Sequence, residues 1–393
     1  MSILCPQNLK NPFLLIRSKK INNKERSIAP NCYACGFNAV QKSINSCKHK
    51  KFERAIKGTY CISEINFALK LGYQILKIFS AIVYKSSEPI LRDFISILGY
   101  EKLTSSTFDP DFDLKEMKEK MFFQENLFPQ TFKENVQKRN FTKLALNSFL
   151  GKFSQKNDKP KSCLVNSKDE ISELFYSKTF SISEIFALNK HFCHVKLERK
   201  RKTLIPPNPK TNCILGAHVV AFARQFMHEK MIELEKLNSK IMYTDTDSLI
   251  FSLKKGQNLP FKISPCFGDF KFEIPKESKI VSFYSLGPKN FSIRYLTKEG
   301  LLKDIVKLRG VTLNNEVNKK LIDSDMCEIY LQKYLLNKQI KISVPQVRSR
   351  ISKRKNIRTQ NFTKVFFTNS INSKRIIDKK DINLNSFPYG FVK

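Results

Sequence analysis

The sequence predicts an α/β protein of the mixed (α+β) kind, in which helices and antiparallel strands occupy separate stretches. A helical pattern over about 214–237 is followed at once by two apolar, β-branched runs, which predict an antiparallel hairpin within 240–253. A second helix is expected over about 133–150, with Gly151 as its end. Short strand candidates lie further along, at 267–274, 279–287, 290–296 and 304–310.

The remaining stretches divide by composition. Residues 1–60 are basic, loop-rich and hold four of the ten cysteines. Residues 64–73 read as a helix and 74–84 as a strand. Residues 154–212 are polar and contain Ile-Pro-Pro-Asn-Pro, which indicates an insertion or linker. Two more helices are expected near 114–122 and 325–336.

The charge of the chain is strongly unbalanced, with 70 Lys and Arg against 35 Asp and Glu, a formal net charge of +35. Such an excess favours a polyanionic partner, most plausibly nucleic acid. An A/T-rich gene would also raise the lysine content. Coding bias would not cluster the charge, however, and the basic residues cluster at 198–202 and 348–355.

No apolar run approaches the roughly 20 residues of a membrane span, so no membrane partner is expected. The first 20 residues show neither the apolar core nor the cleavage site of a signal peptide. Ten unevenly spaced cysteines favour reduced thiols in an intracellular protein, and they leave the choice between nucleus and organelle open.

Asp245 and Asp247 are the most informative acidic residues, because no lysine or arginine stands between the runs that flank them. In extended chain, residues i and i+2 point to the same side, so the two carboxylates are expected together near a hairpin tip. Their mutual repulsion is relieved by a hard divalent cation, above all Mg²⁺. An ordinary Asp-Thr-Asp-Ser turn is the alternative.

Arg139, Lys143 and Asn147 follow one another at intervals of four residues and therefore share one face of the predicted helix. Guanidinium and ammonium groups on one stripe can neutralise the oxygens of a triphosphate. A merely solvated basic face is the alternative. The opposite side is expected to be buried and consists of Leu144, Leu146 and Phe149.

These two segments resemble motifs of the family B DNA polymerases. Residues 143–151 (KLALNSFLG) are similar to the fingers motif, which has Lys, three residues, Asn-Ser, one residue, an aromatic residue and Gly. Residues 243–248 (YTDTDS) are similar to the Tyr-x-Asp-Thr-Asp-Ser palm motif, in the right order and at a fitting separation. Further segments between about 30 and 393 resemble the protein-primed branch of transposons, linear plasmids and related viruses; they are 47–78, 211–237, 267–273, 286–293, 307–314, 373–377 and 385–391.

The resemblance implies a right-hand polymerase fold. It divides the chain into a basic cysteine-rich segment (1–60), a palm-associated segment (61–114), helical fingers (115–153), an insertion or linker (154–212), a palm with the catalytic hairpin (213–312) and a thumb-like region (313–393). It also implies template-directed transfer of deoxynucleotides to a primer hydroxyl with two Mg²⁺ ions. The implied partners are a DNA primer–template, deoxynucleoside triphosphates and a terminal priming protein.

The residue roles implied by the resemblance follow the matched motifs. Asp245 and Asp247 are expected to hold the metal ions and to be catalytic. The residues expected to bind the nucleotide are Arg139, Lys143, Asn147 and Tyr243, and those expected to contact DNA are Ser248, Lys289 and Arg309.

The sequence departs from the family pattern in three ways. It has no Asp-x-x-Ser-Leu-Tyr-Pro motif, which carries the other palm carboxylate, and the run Asp109, Asp111, Asp113 is not a convincing substitute. The proofreading exonuclease motifs are missing. Leu150 replaces an aromatic residue of the fingers motif, which affects packing on the nascent base pair, and Phe291 replaces the tyrosine of Lys-x-Tyr. The chain is therefore expected to be the C-terminal portion of a polymerase.

A second metal site is suggested by Cys32, Cys35, Cys47 and His49, four soft or borderline ligands within 18 residues. This set suits a closed, structural Zn²⁺ site, with free thiols in a loop as the alternative. The grouping of His191, Cys193 and His194 has no partner pair and is interpreted as accidental.

Two other functions remain open from the sequence. The chain could be a catalytically inert remnant that still binds nucleic acid through its charge. It could also be an unrelated basic zinc-knuckle protein, although the ordered series of matches makes coincidence a poor explanation.

Overall fold

The computed structural model describes the main part of the chain and is mixed α/β. The described residues are 1–19, 25–39, 41, 43–106, 133–155, 160–200, 211–264, 266, 268–275, 277–309, 340–341, 346–351, 357–362, 365–366, 374–378 and 385–393. Seven helices lie among them: α1 (Tyr33–Asn38), α2 (Lys51–Arg54), α3 (Ile62–Lys70), α4 (Arg92–Thr104), α5 (Val136–Phe153), α6 (Lys168–Phe175) and α7 (Cys213–Lys236).

The described strands pair into small antiparallel sheets of two or three strands. In chain order the strands are β1 (Ser2–Leu4), β2 (Ile16–Arg17), β3 (Ser27–Ile28), β4 (Ile56–Lys57), β5 (Gln74–Lys77), β6 (Lys161–Val165), β7 (Phe180–Ala187), β8 (Cys193–Arg199), β9 (Lys240–Asp245), β10 (Ser248–Ser252), β11 (Lys279–Gly287), β12 (Asn290–Leu296), β13 (Leu302–Lys307), β14 (Ile340–Lys341), β15 (Gln346–Ile351), β16 (Ile357–Phe362), β17 (Val365–Phe366), β18 (Ile376–Ile377) and β19 (Ser386–Phe387).

A hydrophobic core lies in the N-terminal region of the described chain, around the sheet of order β4-β1-β5 and helix α3. Ile3, Leu14, Ile28 and Ile56 are fully buried in this core. The core also takes in Tyr389, which comes from the other end of the chain. The two ends of the described chain therefore fold as one unit.

Helix α7 joins this core to the hairpin that follows it. The helix begins at Asn212, whose side chain accepts a hydrogen bond from Leu215 N at 3.0 Å and so caps the first turn. Arg224 forms an ion pair with Glu64 of α3 and covers the ring of Phe13. The ring of His228 contacts the rings of Phe13 and Phe67, with centroid distances of 5.4 Å and 5.6 Å.

Helices α4 and α5 pack against each other through the stacked rings of Phe94 and Phe149, whose centroids are 4.1 Å apart. The end of α5 lies against the start of α7, because a Cβ atom at Gly216 would meet the side chain of Ser154. Asn212 N also donates to Phe153 O at 3.1 Å. Helix α7 is thus the common support of α5 and of the hairpin.

The polar stretch interpreted as an insertion or linker carries its own sheet over the described residues 160–200. Its strand order is β6-β8-β7, and α6 packs on one face. Val165, Val195 and Leu197 form its buried centre. This small core was not expected, although the alternation of apolar and polar residues in β7 and β8 is a local strand signal.

Several predicted elements are confirmed and several are corrected. The helix predicted at 214–237 matches α7, and the strands predicted at 279–287 and 290–296 match β11 and β12. Helix α5 runs through Gly151, whose open surroundings impose no turn. Of the strand predicted at 74–84, only β5 forms.

The strand predicted at 267–274 does not form. Gly268 has a φ of +88°, which interrupts an extended run, and only a single bridge joins Phe270 to Ile263. The ring of Phe270 packs instead against Phe226 of α7 and against Phe261. The helices predicted near 114–122 and 325–336, together with Asp109, Asp111 and Asp113, lie outside the described residues.

Among the helices of the described ranges, none combines the length and the apolar character that crossing a bilayer requires.

Candidate active site and metal centre

Asp245 and Asp247 lie at the tip of an antiparallel hairpin, as predicted. Asp245 ends β9 and pairs with Ser248, the first residue of β10, so that Thr246 and Asp247 alone form the turn. The amide of Asp247 donates to the carbonyl of Asp245 at 2.6 Å. The expectation that both aspartates lie in extended chain is wrong, because the backbone reverses between them.

The turn is built on an unfavourable backbone conformation. Thr246 has a φ of +55°, in the left-handed region, where a β-branched residue is a genuine outlier. A hairpin selected only for turning uses Asn-Gly or Asp-Gly at such positions. Strained backbone of this kind costs on the order of 1–3 kcal/mol and clusters at functional sites. The conformation therefore favours a functional role over an ordinary Asp-Thr-Asp-Ser turn.

A second hairpin turn faces the first one. Gly287 pairs with Asn290, so that Pro288 and Lys289 form the turn between β11 and β12. The Nζ atom of Lys289 lies 2.8 Å from Oδ2 of Asp245, and its amide donates to the hydroxyl of Tyr243 at 2.8 Å. This ion pair raises the pKa of Lys289. Two segments far apart in the sequence thus meet at Asp245.

Tyr243 holds the two hairpins together. Its side chain is buried, which raises the pKa of its hydroxyl. Its ring lies 5.0 Å from that of Phe291 and 6.2 Å from that of Phe283. Three aromatic rings therefore fix the strands that present Asp245 and Lys289. Phe291, which stands where the resemblance implies a tyrosine, takes part in this packing.

The other two residues expected to contact DNA flank the same place. The hydroxyl of Ser248 donates to the carbonyl of Asp245 at 3.0 Å and so braces the turn. The amide of Arg309 donates to Oδ1 of Asn290 at 2.7 Å, and the Arg309 side chain is exposed. The structure therefore brings Asp245, Ser248 and Lys289 together, with Arg309 next to the turn that carries Lys289.

The predicted cationic stripe lies on α5. Arg139 is half-buried, whereas Lys143 and Asn147 are exposed. Lys102 of α4 faces the same stripe. Burial is the main cause that lowers its pKa, and the charges of Arg139, Lys143 and Lys271 lower it further. Lys102 and Lys271 were missed from the sequence, because only packing brings them to the stripe.

The prediction of which side of α5 is buried is partly wrong. Leu144 is 64% exposed, whereas the buried residue of this helix is Thr142. Phe149 packs on α4 as expected. The helix therefore rests on α4 and α7 through a narrow contact, and its exposed apolar residues remain on the surface.

Within the described residues, no further His, Cys, Asp or Glu joins Asp245 and Asp247 in a group that could hold a metal ion. Two carboxylates are fewer than a two-metal site normally uses. The hairpin alone is an incomplete cation site.

Cys32, Cys35, Cys47 and His49 form a group that could hold a metal such as zinc, because their ligand atoms all lie within 4.8 Å of one another. The three sulfur atoms are 3.5, 3.3 and 3.6 Å from Nδ1 of His49. In a tetrahedral Zn²⁺ site the bonds are about 2.3 Å to sulfur and 2.0–2.1 Å to nitrogen, which places a sulfur and a nitrogen ligand about 3.6 Å apart. The geometry fits a closed four-ligand site.

Local structure explains how this group assembles. Cys32 caps α1 and Cys35 lies on its first turn, so the two thiols share one side of the helix. Cys47 and His49 arrive just before α2. A hydrogen bond from the Cys35 thiol lowers the pKa of Cys32 to about 6 and raises that of Cys35. A stable thiolate is the form in which cysteine binds metals.

The other described cysteines have no such partners. Burial raises the pKa of Cys5 to about 12, which suits a core residue. His194 packs against Phe186 with ring centroids 4.6 Å apart.

No family model matches the chain, and neither a curated protein nor a solved structure matches it significantly.

Proposed function

We propose that this chain is the C-terminal part of a protein-primed family B DNA polymerase, which synthesises DNA once a segment with the missing palm carboxylate is joined to it. The observation that supports this most strongly is the hairpin tip. Asp245 and Asp247 are held there by a strained Thr246, beside a lysine from a second hairpin. An arrangement that costs backbone energy and gathers charged groups from two segments indicates selection for chemistry.

The proposed reaction joins a deoxynucleotide to a primer. The 3′ oxygen of the primer forms a bond to the α-phosphorus of the triphosphate, the bond from that phosphorus to its bridging oxygen breaks, and pyrophosphate leaves. Two Mg²⁺ ions, when bound, would lower the pKa of the attacking hydroxyl and neutralise the leaving oxygen. Asp245 and Asp247 would hold these ions from the turn, with Tyr243 and Phe291 fixing the strand beneath them.

The stripe on α5 would hold the triphosphate. Arg139 and Lys143 supply charge, and Lys102 adds a third cation, whose pKa is lowered by burial and further by the neighbouring positive charges. A polyphosphate placed among these groups relieves their mutual repulsion. Asn147, one turn beyond Lys143 on the same helix, would order the incoming base.

Within the described residues the hairpin supplies only two carboxylates, so we expect the chain alone to bind primer–template without extending it. Salt should weaken that binding steeply, since phosphate neutralisation releases counterions. The second candidate function, an inert nucleic-acid-binding fragment, is favoured by the incomplete cation site in the described residues. A terminal priming protein is the further partner of the leading proposal.

Primer extension separates the two candidates. The chain is incubated with a primed template, deoxynucleoside triphosphates and Mg²⁺, by itself and joined to an upstream segment that bears Asp-x-x-Ser-Leu-Tyr-Pro. We expect negligible extension by the chain and clear extension by the joined protein. A joined protein that binds the template and does not extend it would favour the inert fragment, and robust extension by the chain alone would show that its third carboxylate lies elsewhere in it.

A further inference from the structure

The last residues of the chain close the metal loop, which is the segment from Cys32 to His49 that carries the four candidate ligands. The amides of Asn31 and Cys32 both donate to the carbonyl of Tyr389, at 2.8 Å and 3.4 Å. In the same way, the amide of Asn45 donates to the carbonyl of Phe391 at 3.2 Å. Backbone groups on both sides of the Cys–His group are therefore satisfied by the C-terminal segment, which we define as residues 385–393.

The approach of this segment to the metal ligands is very close. Gly390 has a φ of +86°, and a Cβ atom built on it would overlap both the Cβ and the backbone nitrogen of Cys32. Only glycine fits this position, both for its backbone conformation and for the space available. The wall of the metal site on the side of Cys32 is thus the chain's own C-terminal segment.

The segment is held by further contacts with the N-terminal core. Tyr389 is 6% exposed and Phe391 is 3% exposed. The guanidinium of Arg375 donates to Lys10 O at 2.8 Å and to Ser386 O at 2.9 Å, which ties the two ends of the chain together. These contacts show that docking of the segment does not depend on one hydrogen bond.

We infer that the Cys32–Cys35–Cys47–His49 centre is a metal-dependent clasp, which fixes the C-terminal segment against the N-terminal core. Metal binding stabilises the folded loop and, through its contacts, the C-terminal segment packed against it. The coupling is reciprocal: the docked segment strengthens metal binding by the same factor by which metal strengthens docking. The inference rests on contacts around the metal centre and does not depend on the proposed function.

The clasp also affects the surface beside the candidate active site. A cavity of about 1420 Å³ lies between the hairpin and the two ends of the chain. Thr244 and Thr246 line it on the hairpin side, and Phe387, Phe391 and Lys393 line it from the C-terminal segment. Release of the segment would remove one wall of this cavity.

Hydrogen exchange on the intact chain tests the clasp. Zinc is first quantified in protein purified without chelator, and one ion per chain is expected. Amide exchange is then followed by mass spectrometry before and after zinc is removed. We expect the amides of 386–393 and of the metal loop to exchange at least tenfold faster without zinc, while the β11–β12–β13 sheet keeps its protection.

A pair of glycine variants tests the reciprocal effect. Gly390→Ala should weaken zinc binding about tenfold, because the added methyl group displaces the segment from Cys32. Gly300→Ala is the matched control: its φ is +77°, so it carries the same kind of backbone strain, but it faces open space in the turn before β13. Its zinc affinity should stay within twofold of the unsubstituted chain.

Three results would overturn the inference. One is a chain that binds no zinc, and another is a C-terminal segment that stays protected when zinc is removed. The third is an equal loss of protection over β11–β13, which would show that the metal supports the whole fold instead of this segment. The exchange experiment uses the unsubstituted chain, so it decides the matter even if Gly390→Ala does not fold.

Discussion

Lys289 and Asp245 form an ion pair of 2.8 Å across a separation of 44 residues, and this pair joins the two hairpin turns of the candidate active site. The Lys289 side chain is 63% exposed, so the pair contributes at most about 1 kcal/mol to stability. Its main consequence is electrostatic. A cation already faces the carboxylate that is proposed to bind a metal ion, so the lysine and the metal compete for the same oxygen.

Replacing Lys289 should therefore strengthen metal binding at the hairpin. Lys289→Met is expected to raise the affinity for Mn²⁺, used as a spectroscopic probe for Mg²⁺, by up to about fivefold, since the competing charge is worth at most about 1 kcal/mol. Lys298→Met is the control, because Lys298 makes a similar exposed pair with Glu277 at 2.8 Å outside the site. Equal effects of the two substitutions would show that the change reflects net charge alone.

The cationic stripe of α5 can be tested by triphosphate binding. Lys143→Ala should weaken the binding of a fluorescent deoxynucleoside triphosphate five- to tenfold, since one charge-assisted contact is lost. Lys152→Ala removes the same charge near the end of the same helix, where the lysine contacts Gln155, and should have little effect. If both variants lose the same affinity, the stripe is only a solvated basic face.

The hairpin at Asp245 was predictable because two β-branched runs and a polar turn are local signals. The meeting of Asp245 with Lys289, and of the C-terminal segment with Cys32, depends on long-range packing that no local pattern encodes. The helix end predicted at Gly151 is wrong, because glycine can also continue a helix and no neighbouring group forces a turn there.

The pH dependence of stability should have a component from His228. Burial against Phe13 and Phe67 lowers its pKa to about 4, from 6.5 in an unfolded chain. Between these values the unfolded state holds more protons, so the free energy of unfolding decreases as the pH falls. The shift corresponds to a loss of about 2 kcal/mol from pH 7 to pH 5.

Urea unfolding at the two pH values measures this component. His228→Phe should remove it, while His191→Phe, at an exposed position, should leave it unchanged. Arg224 lies beside His228 and stays charged throughout, and its partner Glu64 is present in every variant. A His228→Phe variant that keeps the full loss would assign the pH dependence to other groups.

The central claim is that the hairpin tip holds catalytic metal ions. It is tested most directly by the rate of primer extension in the joined protein after Asp247→Asn. The substitution keeps the shape of the side chain and removes its charge, so it should cost several kcal/mol of transition-state stabilisation, or at least about a thousandfold in rate. Asp169→Asn, the same change at an exposed position in the first turn of α6, should leave the rate unchanged. A rate for Asp247→Asn within tenfold of that control would contradict the account.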